Sequence, residues 1–171
     1  MTTRFAIIDP AAGISGDMLL GALIDAGVPA RQVIDLPARL GYPDLPVTVS
    51  RVRRCGVMST RVTVGELHDQ RHQQPDGPAA HGPHHHPHAI AERLRRAAIS
   101  ESIRERAITA FQLLTRAEAD VHGTTPDDVV LHEVGAADAL VDIVGALEGF
   151  AFLGIEQVSV LPVAVGSGWV T

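Results

Sequence analysis

The sequence AADALVDIVGALEGFAFL, from Ala136 to Leu153, gives the clearest indication of how this chain folds. It is apolar almost all the way around a helical period, and this pattern predicts a helix buried in the core. Two aspartates, Asp138 and Asp142, stand four residues apart and therefore share one face of that helix, which Gly145 and Gly149 continue. Like charges at this spacing repel each other, and a buried carboxylate loses its hydration. We therefore expect a positive charge to compensate this face.

Two sources of that positive charge are open. A metal ion is favoured by His132 and Glu133 just upstream and by His122 at the end of the preceding helix, because imidazole and carboxylate ligands suit nickel, zinc or iron. Of the adjacent pair His132 and Glu133, one is expected to bind the metal and the other to orient a ligand or move a proton. The alternative is an arginine that clamps the aspartates, or a solvent-facing polar stripe, since aspartates near a helix start also suit the helix dipole.

The rest of the chain predicts a single α+β domain over residues 1–171. Its order of elements is typical of a split βαβ, or ferredoxin-like, layout, in which a mostly antiparallel sheet carries helices on one face. Ser102, with Glu105 three residues later, is the predicted N-cap of the longest helix. The predicted elements are a strand at Phe5–Asp9, helices from Asp17 and over Ala30–Leu40, an antiparallel hairpin of Val47–Arg53 and Val57–Leu67 with Arg51, Arg53 and Arg61 on its wet face, helices at His88–Ala98 and Ser102–Val121, and a strand at Gln157–Val165.

The corner between the first strand and the first helix is a second candidate site. A glycine-containing turn leaves free N–H groups at a helix start, where a phosphate or a carboxylate can bind. A cation held between Asp9 and Asp17 and bridging to a phosphate is the alternative, and an ordinary turn is the third. The candidate anion-binding residues are Gly13, Ser15, Gly16 and Asp17.

Residues 68–88 are rich in histidine, glutamine, proline and glycine, a composition that predicts a flexible loop inserted between the hairpin and the helices. Flexible imidazoles collect nickel or zinc, so the loop is predicted to store or deliver metal, the alternative being a solvated linker. Cys55 is expected to be an ordinary turn residue rather than a thiolate ligand. The candidate metal-binding histidines are His81, His84, His85, His86 and His88, preceded by His68 and His72.

Composition excludes several functions. The formal net charge of −6 argues against a nucleic-acid partner. All 14 cationic side chains are arginine, which removes the lysine of a P-loop or of a Schiff base. The single cysteine forms no disulfide within the chain. Neither a signal peptide nor a segment long enough to span a membrane is expected, and this combination fits a reducing cytoplasm.

Together these motifs resemble the LarC family of nickel insertion proteins. Four motifs in the same order carry the resemblance: Ile8-Asp9-Pro10 with Gly13-Ile14-Ser15-Gly16-Asp17-Met18, the histidine tract, Ala117-Glu118-Ala119-Asp120-Val121-His122-Gly123, and Leu131-His132-Glu133-Val134-Gly135 with Asp138 and Val141-Asp142-Ile143. The resemblance implies that the chain is the N-terminal half of such a protein. The C-terminal domain, associated in the family with CTP and a divalent metal such as Mg²⁺ or Mn²⁺, is expected to be absent.

The resemblance also implies an activity, that of a nickel chelatase or cyclometallase of the lyase class. Such an enzyme inserts Ni²⁺ into pyridinium-3,5-bisthiocarboxylic acid mononucleotide in a CTP-dependent reaction, for lactate racemase and related clients. We then expect Asp138, Asp142 and His132 to hold the metal, Glu133, His132 or His122 to abstract a proton, and the Gly13–Gly16 turn to bind the nucleotide phosphate. The expected partners are this substrate, the C-terminal domain or a partner chain, and further copies of the chain. The alternatives are a nickel chaperone or store, and a metal-dependent phosphohydrolase.

Overall fold

The computed structural model describes residues 3–11, 13–65, 87–129 and 137–163. They form a mixture of helices and strands, which confirms the predicted α+β class. The elements are β1 (Arg4–Ile8), α1 (Gly16–Asp25), α2 (Ala30–Ile34), α3 (Leu36–Arg39), β2 (Val47–Arg54), β3 (Val57–Val64), α4 (Pro87–Arg96), α5 (Glu101–His122), α6 (Ala137–Phe152) and β4 (Ile155–Val160). None of the helices in these ranges is long and apolar enough to cross a membrane.

The described strands form two separate sheets of two strands each, so the prediction of one mostly antiparallel sheet is wrong for them. β1 pairs with β4 in parallel, and β2 pairs with β3 in the antiparallel sense. A parallel pair needs a crossover connection, which the intervening helices supply between β1 and β4. The hairpin stays apart because its strand β3 packs against α1 rather than extending the β1–β4 sheet.

The hairpin turns at Cys55 and Gly56, as predicted, and both residues have positive φ angles of 48° and 82°. Two left-handed residues in succession are what the tightest hairpin turns require. The prediction that Arg51, Arg53 and Arg61 share one solvent-exposed face of the hairpin is wrong. The strand register places Arg51 and Arg61 on opposite faces, and Arg51 points towards α1, where its guanidinium pairs with Asp25.

Helices α1 and α6 pack closely in the centre of the molecule. A Cβ atom added at Gly145 would lie 2.7 Å from Leu20 Cδ2, and one at Gly149 would lie 2.8 Å from Leu23 Cδ1. The two glycines therefore let the helix axes approach each other. Because the contacts advance in the same direction along both chains, the helices are parallel and their N-termini lie at the same end of the molecule.

Two of the predicted boundaries change for reasons that the structure shows. The serine that caps α5 is Ser100 rather than Ser102, since its backbone is extended and its hydroxyl accepts a hydrogen bond of 3.4 Å from the N–H of Ile103. The helix predicted over residues 30–40 breaks at Asp35, because Pro37 has no N–H to continue the ladder. The predicted histidine loop, residues 68–88, lies outside the described residues up to residue 86, and its last two residues begin α4.

Candidate metal site

Asp142 lies where α6 meets the first turn of α1. Its Oδ1 is buried and has no hydrogen-bond partner among the described residues. A Cβ atom added at Gly16 would lie 2.1 Å from Asp142 Oδ2, so the carboxylate fills the space that a larger residue would need. A buried carboxylate oxygen without a partner costs free energy, and such an atom in a folded protein calls for an explanation.

Two further carboxylates lie close enough to Asp142 to affect its charge. Its pKa is raised to about 6, first by burial, then by the negative charge of Asp138 and then by that of Asp17. Asp138 lies in the first turn of α6 and Asp17 in the first turn of α1. We call Asp17, Asp138 and Asp142 the aspartate cluster. The charge of Asp138 thus acts on Asp142, its neighbour on α6, and Asp17 adds a second negative charge from a distant part of the sequence.

The hydrogen bonds of the cluster leave part of its oxygen atoms available. Asp17 Oδ1 accepts hydrogen bonds from the Ser15 hydroxyl and from the N–H of Met18, the second at 2.9 Å. Asp138 Oδ1 accepts one from the N–H of Ala139 at 2.8 Å. Within the described ranges, the Oδ2 atoms of both aspartates make no hydrogen bond, and carboxylate oxygens of this kind are ligands for divalent cations.

No arginine in the described part of the chain pairs with the aspartate cluster. The contrast with Glu148 on the same helix is direct, since Arg39 forms a fork with its carboxylate through two contacts of 2.7 Å. Arg51, on the hairpin, is engaged by Asp25. The positive ends of α1 and α6 compensate part of the negative charge. Within the described residues no arginine clamp forms on the cluster, whereas Asp138 is exposed, as the alternative of a solvent-facing polar stripe expects.

The described residues alone do not complete a set of metal ligands. Residues 3–11, 13–65, 87–129 and 137–163 contain no group of three or more His, Cys, Asp or Glu side chains arranged to hold a metal ion. The carboxylates of the cluster are thus close enough to interact electrostatically but do not by themselves enclose a cation. The predicted ligands His132 and Glu133 lie outside the described residues, in the segment that directly precedes α6 in the sequence.

The remaining predicted residues lie around the cluster or away from it. Asp9 is exposed after β1, where its Oδ1 accepts a hydrogen bond of 3.1 Å from the N–H of Ala11. Gly13 is exposed, has a φ of 86°, and its N–H donates to the carbonyl of Pro10 at 2.9 Å. This hydrogen bond closes a turn, and it removes the Gly13 N–H from the donors available to a phosphate.

The two described histidines among the predicted site residues lie on helices. His122 is the last residue of α5, where its Nε2 lies 3.4 Å from Glu118 Oε2. His88 is exposed near the start of α4. Neither forms a metal-ligand group with the aspartates within the described ranges. The predicted ligands His81, His84, His85 and His86 lie outside them.

Comparison with known proteins assigns the chain to a family. The profile of the family described as nickel insertion protein matches residues 6–171. A protein of Nocardioides sp., named pyridinium-3,5-bisthiocarboxylic acid mononucleotide nickel insertion protein, is 43% identical over all of this chain and 40% of its own length. A protein of Desulfitobacterium hafniense with the same name is 38% identical over 98% of this chain and 39% of its own length.

A third relative, from Thermomicrobium roseum, is named putative nickel insertion protein and is 39% identical over 98% of this chain and 38% of its own length. The chain therefore spans about 40% of the length of the relatives it matches. No solved structure matches the chain. The match over almost every residue shows that the chain belongs to the nickel insertion protein family.

Proposed function

We propose that this chain is the nickel-binding part of an enzyme that inserts Ni²⁺ into pyridinium-3,5-bisthiocarboxylic acid mononucleotide. The observation that carries the proposal is the buried, unpartnered Oδ1 of Asp142 inside a cluster of three aspartates that no described arginine neutralises. Such a site gains most from a bound cation. The names of the Nocardioides and Desulfitobacterium relatives supply the metal and the organic substrate.

The expected reaction is a cyclometallation of the lyase class. Nickel, as a substrate, forms bonds to two thiocarboxylate sulfurs and to a carbon of the pyridinium ring. The bond from that carbon to hydrogen breaks, and its proton must go to a base. In this proposal Asp138, Asp142 and His132 hold the nickel before transfer, and Glu133, His132 or His122 accepts the proton. The product is the nickel cofactor of lactate racemase and related enzymes.

The first turn of α1 is proposed to bind the phosphate of the mononucleotide through Ser15 and Gly16, with Gly13 shaping the turn. Because Asp17 lies beside Asp142, a phosphate approaching this turn also approaches three carboxylates. A cation between them would remove the repulsion, which makes simultaneous binding of metal and nucleotide more favourable than binding of either alone. Asp9 would lie on the edge of this arrangement.

CTP and Mg²⁺ or Mn²⁺ enter the proposal as requirements of the whole protein. The carboxylate oxygens of the cluster suit these cations as well as nickel, so its donor atoms fit either role. A nucleoside triphosphate would supply the free energy of phosphoanhydride cleavage. We place the reaction in the cytoplasm, with the remaining part of the protein, or a partner chain, completing the active site. The histidines at positions 81, 84, 85, 86 and 88 would capture nickel and deliver it.

The test is cofactor maturation by the complete protein with single substitutions in this chain. Asp142→Asn keeps the shape of the side chain but removes its charge, and we expect maturation to fall about tenfold or more, as a lost charged ligand costs over 1 kcal/mol. The matched control is Asp44→Asn, which removes one negative charge from an exposed turn. Maturation by Asp142→Asn at the level of this control would contradict the proposal.

Deletion of residues 81–88 distinguishes the proposed enzyme from the alternative, a protein that only stores or carries nickel. We expect the deletion to lower maturation when nickel is scarce and to have little effect at saturating nickel, because a delivery loop acts through local concentration. If the deletion abolished maturation at saturating nickel while Asp138→Ala and Asp142→Ala left it unchanged, the loop would be the functional site. The chain would then be a chaperone or store.

A further inference from the structure

The β1–β4 sheet exposes apolar side chains on both of its faces. Phe5 and Ile7 on β1 are 65% and 61% exposed, and Val158 and Val160 on β4 are 43% and 57% exposed. The register pairs Val158 with Ala6 and Val160 with Ile8, which alternate along β1 with Phe5 and Ile7. The exposed side chains of β1 and those of β4 therefore lie on opposite faces of the sheet. Parallel sheets in folded proteins are normally covered on both faces, and two strands alone are marginally stable.

The β1–β4 sheet also borders an apolar groove. This cavity of about 370 Å³ is lined largely by apolar side chains of β1, of α1 and of the segment from Phe150 to Ile155. Two of them, Ile14 and Met18, are 44% and 56% exposed. Among the described strands, β1 pairs only with β4, so its other edge has no strand partner in that part of the structure. A free strand edge in a sheet with exposed apolar side chains is the arrangement to which an extended segment adds.

We propose that β1 and β4 are two strands of a larger sheet that is completed by the part of the full-length polypeptide outside the matched region. The relatives give the reason for choosing this occupant. The chain covers 40% of the Nocardioides relative, so more than half of that protein lies elsewhere. A segment of the same polypeptide is held at a high effective concentration and adds to a strand edge without the cost of bimolecular association.

A second copy of the chain fits the exposed surface less well. In a symmetric dimer each copy would offer the same patch to the other, and β1 would pair with β1 of its partner. That arrangement satisfies one edge and leaves the opposite edge and one apolar face open to water. A covalently connected domain that supplies further strands and covers both faces would bury Phe5 and Ile7 on one face and Val158 and Val160 on the other.

Hydrogen exchange followed by mass spectrometry tests the proposal. The chain alone is compared with the chain fused to the uncovered region of the Nocardioides relative, in the order found in that protein. We expect the amides of residues 4–8 to exchange about tenfold or more slowly in the fusion, as newly formed strand pairing protects them. The hairpin β2–β3 serves as the internal control, and its exchange should not change.

Substitutions then locate the contact. In the fusion, Ile7→Arg should return the exchange of residues 4–8 towards that of the chain alone, whereas Val57→Arg, at a site 67% exposed on the hairpin, should not. Equal exchange of residues 4–8 in the chain and in the fusion would overturn the proposal. So would protection that grows with the concentration of the chain alone, because it would identify a second copy as the occupant. If the Ile7→Arg fusion fails to fold, the comparison of the unsubstituted proteins still decides.

Discussion

At the scale of single residues, two carboxylates on α6 differ in how their charge is compensated. The side chain of Glu148 is largely buried and accepts two hydrogen bonds from Arg39, whose pKa is raised mainly by this hydrogen bonding. Asp142, about two turns earlier, receives no such partner among the described residues, and its pKa rises to about 6. Within the described residues, Asp142 therefore combines a buried carboxylate oxygen with the absence of an arginine partner. The cation proposed for this site would supply the missing positive charge.

The raised pKa makes stability depend on pH. Folding raises the pKa of Asp142 from 3.8 to about 6, so the folded protein holds this proton more tightly than the unfolded chain does. The favourable contribution is complete below about pH 4 and is lost as pH rises through 6. Without metal, Asp142→Asn should therefore be more stable than the natural chain at pH 8, by roughly 2 kcal/mol after allowing for partial solvent screening.

Urea denaturation at pH 5 and pH 8 measures this effect. The advantage of Asp142→Asn should be larger at pH 8 than at pH 5, and Asp44→Asn should follow the natural chain at both values. A variant less stable than the natural chain at pH 8 would mean that Asp142 makes a stabilising contact in its charged form.

The sequence predicted part of this residue-scale arrangement. The spacing of Asp138 and Asp142 was sufficient to place them on one helix face and to predict a cost for their charge. Asp17 was assigned to a separate corner with Asp9, because nothing local shows that the starts of α1 and α6 lie side by side. The contact of Gly16 with Asp142 was hidden for the same reason, since it joins residues that are far apart in the chain.

At the scale of elements, periodicity predicted most helices and strands but not their pairing. β1 and β4 are short apolar segments at opposite ends of the chain, and their pairing depends on long-range packing. The predicted hairpin was correct because its turn and both strands are local in sequence. The predicted N-cap of α5 was wrong by two residues. Ser100 and Ser102 both precede the apolar stripe of the helix, and only the backbone conformation distinguishes them.

This pair of serines provides a matched test of the element boundaries. Ser100→Ala removes the hydroxyl that accepts from the N–H of Ile103 and should lower the free energy of unfolding by about 1 kcal/mol. Ser102→Ala changes an exposed residue inside the first turn and should alter it by less than about 0.5 kcal/mol. Thermal denaturation of both variants checks this. A larger loss for Ser102→Ala would place the helix start where the sequence alone suggested.

In the molecule as a whole, the three carboxylates of the aspartate cluster lie at one end of the helices α1 and α6. The N–H of Leu161, just after β4, donates to the carbonyl of Ile8 at 2.9 Å, so the carboxyl ends of β1 and β4 lie together. β1 leads into α1, and the parallel helix α6 begins at the same end. Ligands of α/β proteins bind outside the carboxyl ends of parallel strands. The aspartate cluster occupies this position. In the sequence, the segment that contains His132 and Glu133 directly precedes α6, which carries two of the three aspartates.

We propose above that this end of the molecule holds one nickel ion through the aspartate cluster. Isothermal titration of Ni²⁺ into the chain lacking residues 81–88, with and without Asp142→Asn, measures whether such a site exists. We predict one tight site per chain, weakened about tenfold or more by Asp142→Asn and also weakened below pH 6, where protons compete for the carboxylate. No stoichiometric site in the deleted chain, or an affinity unchanged by Asp142→Asn, would contradict the account.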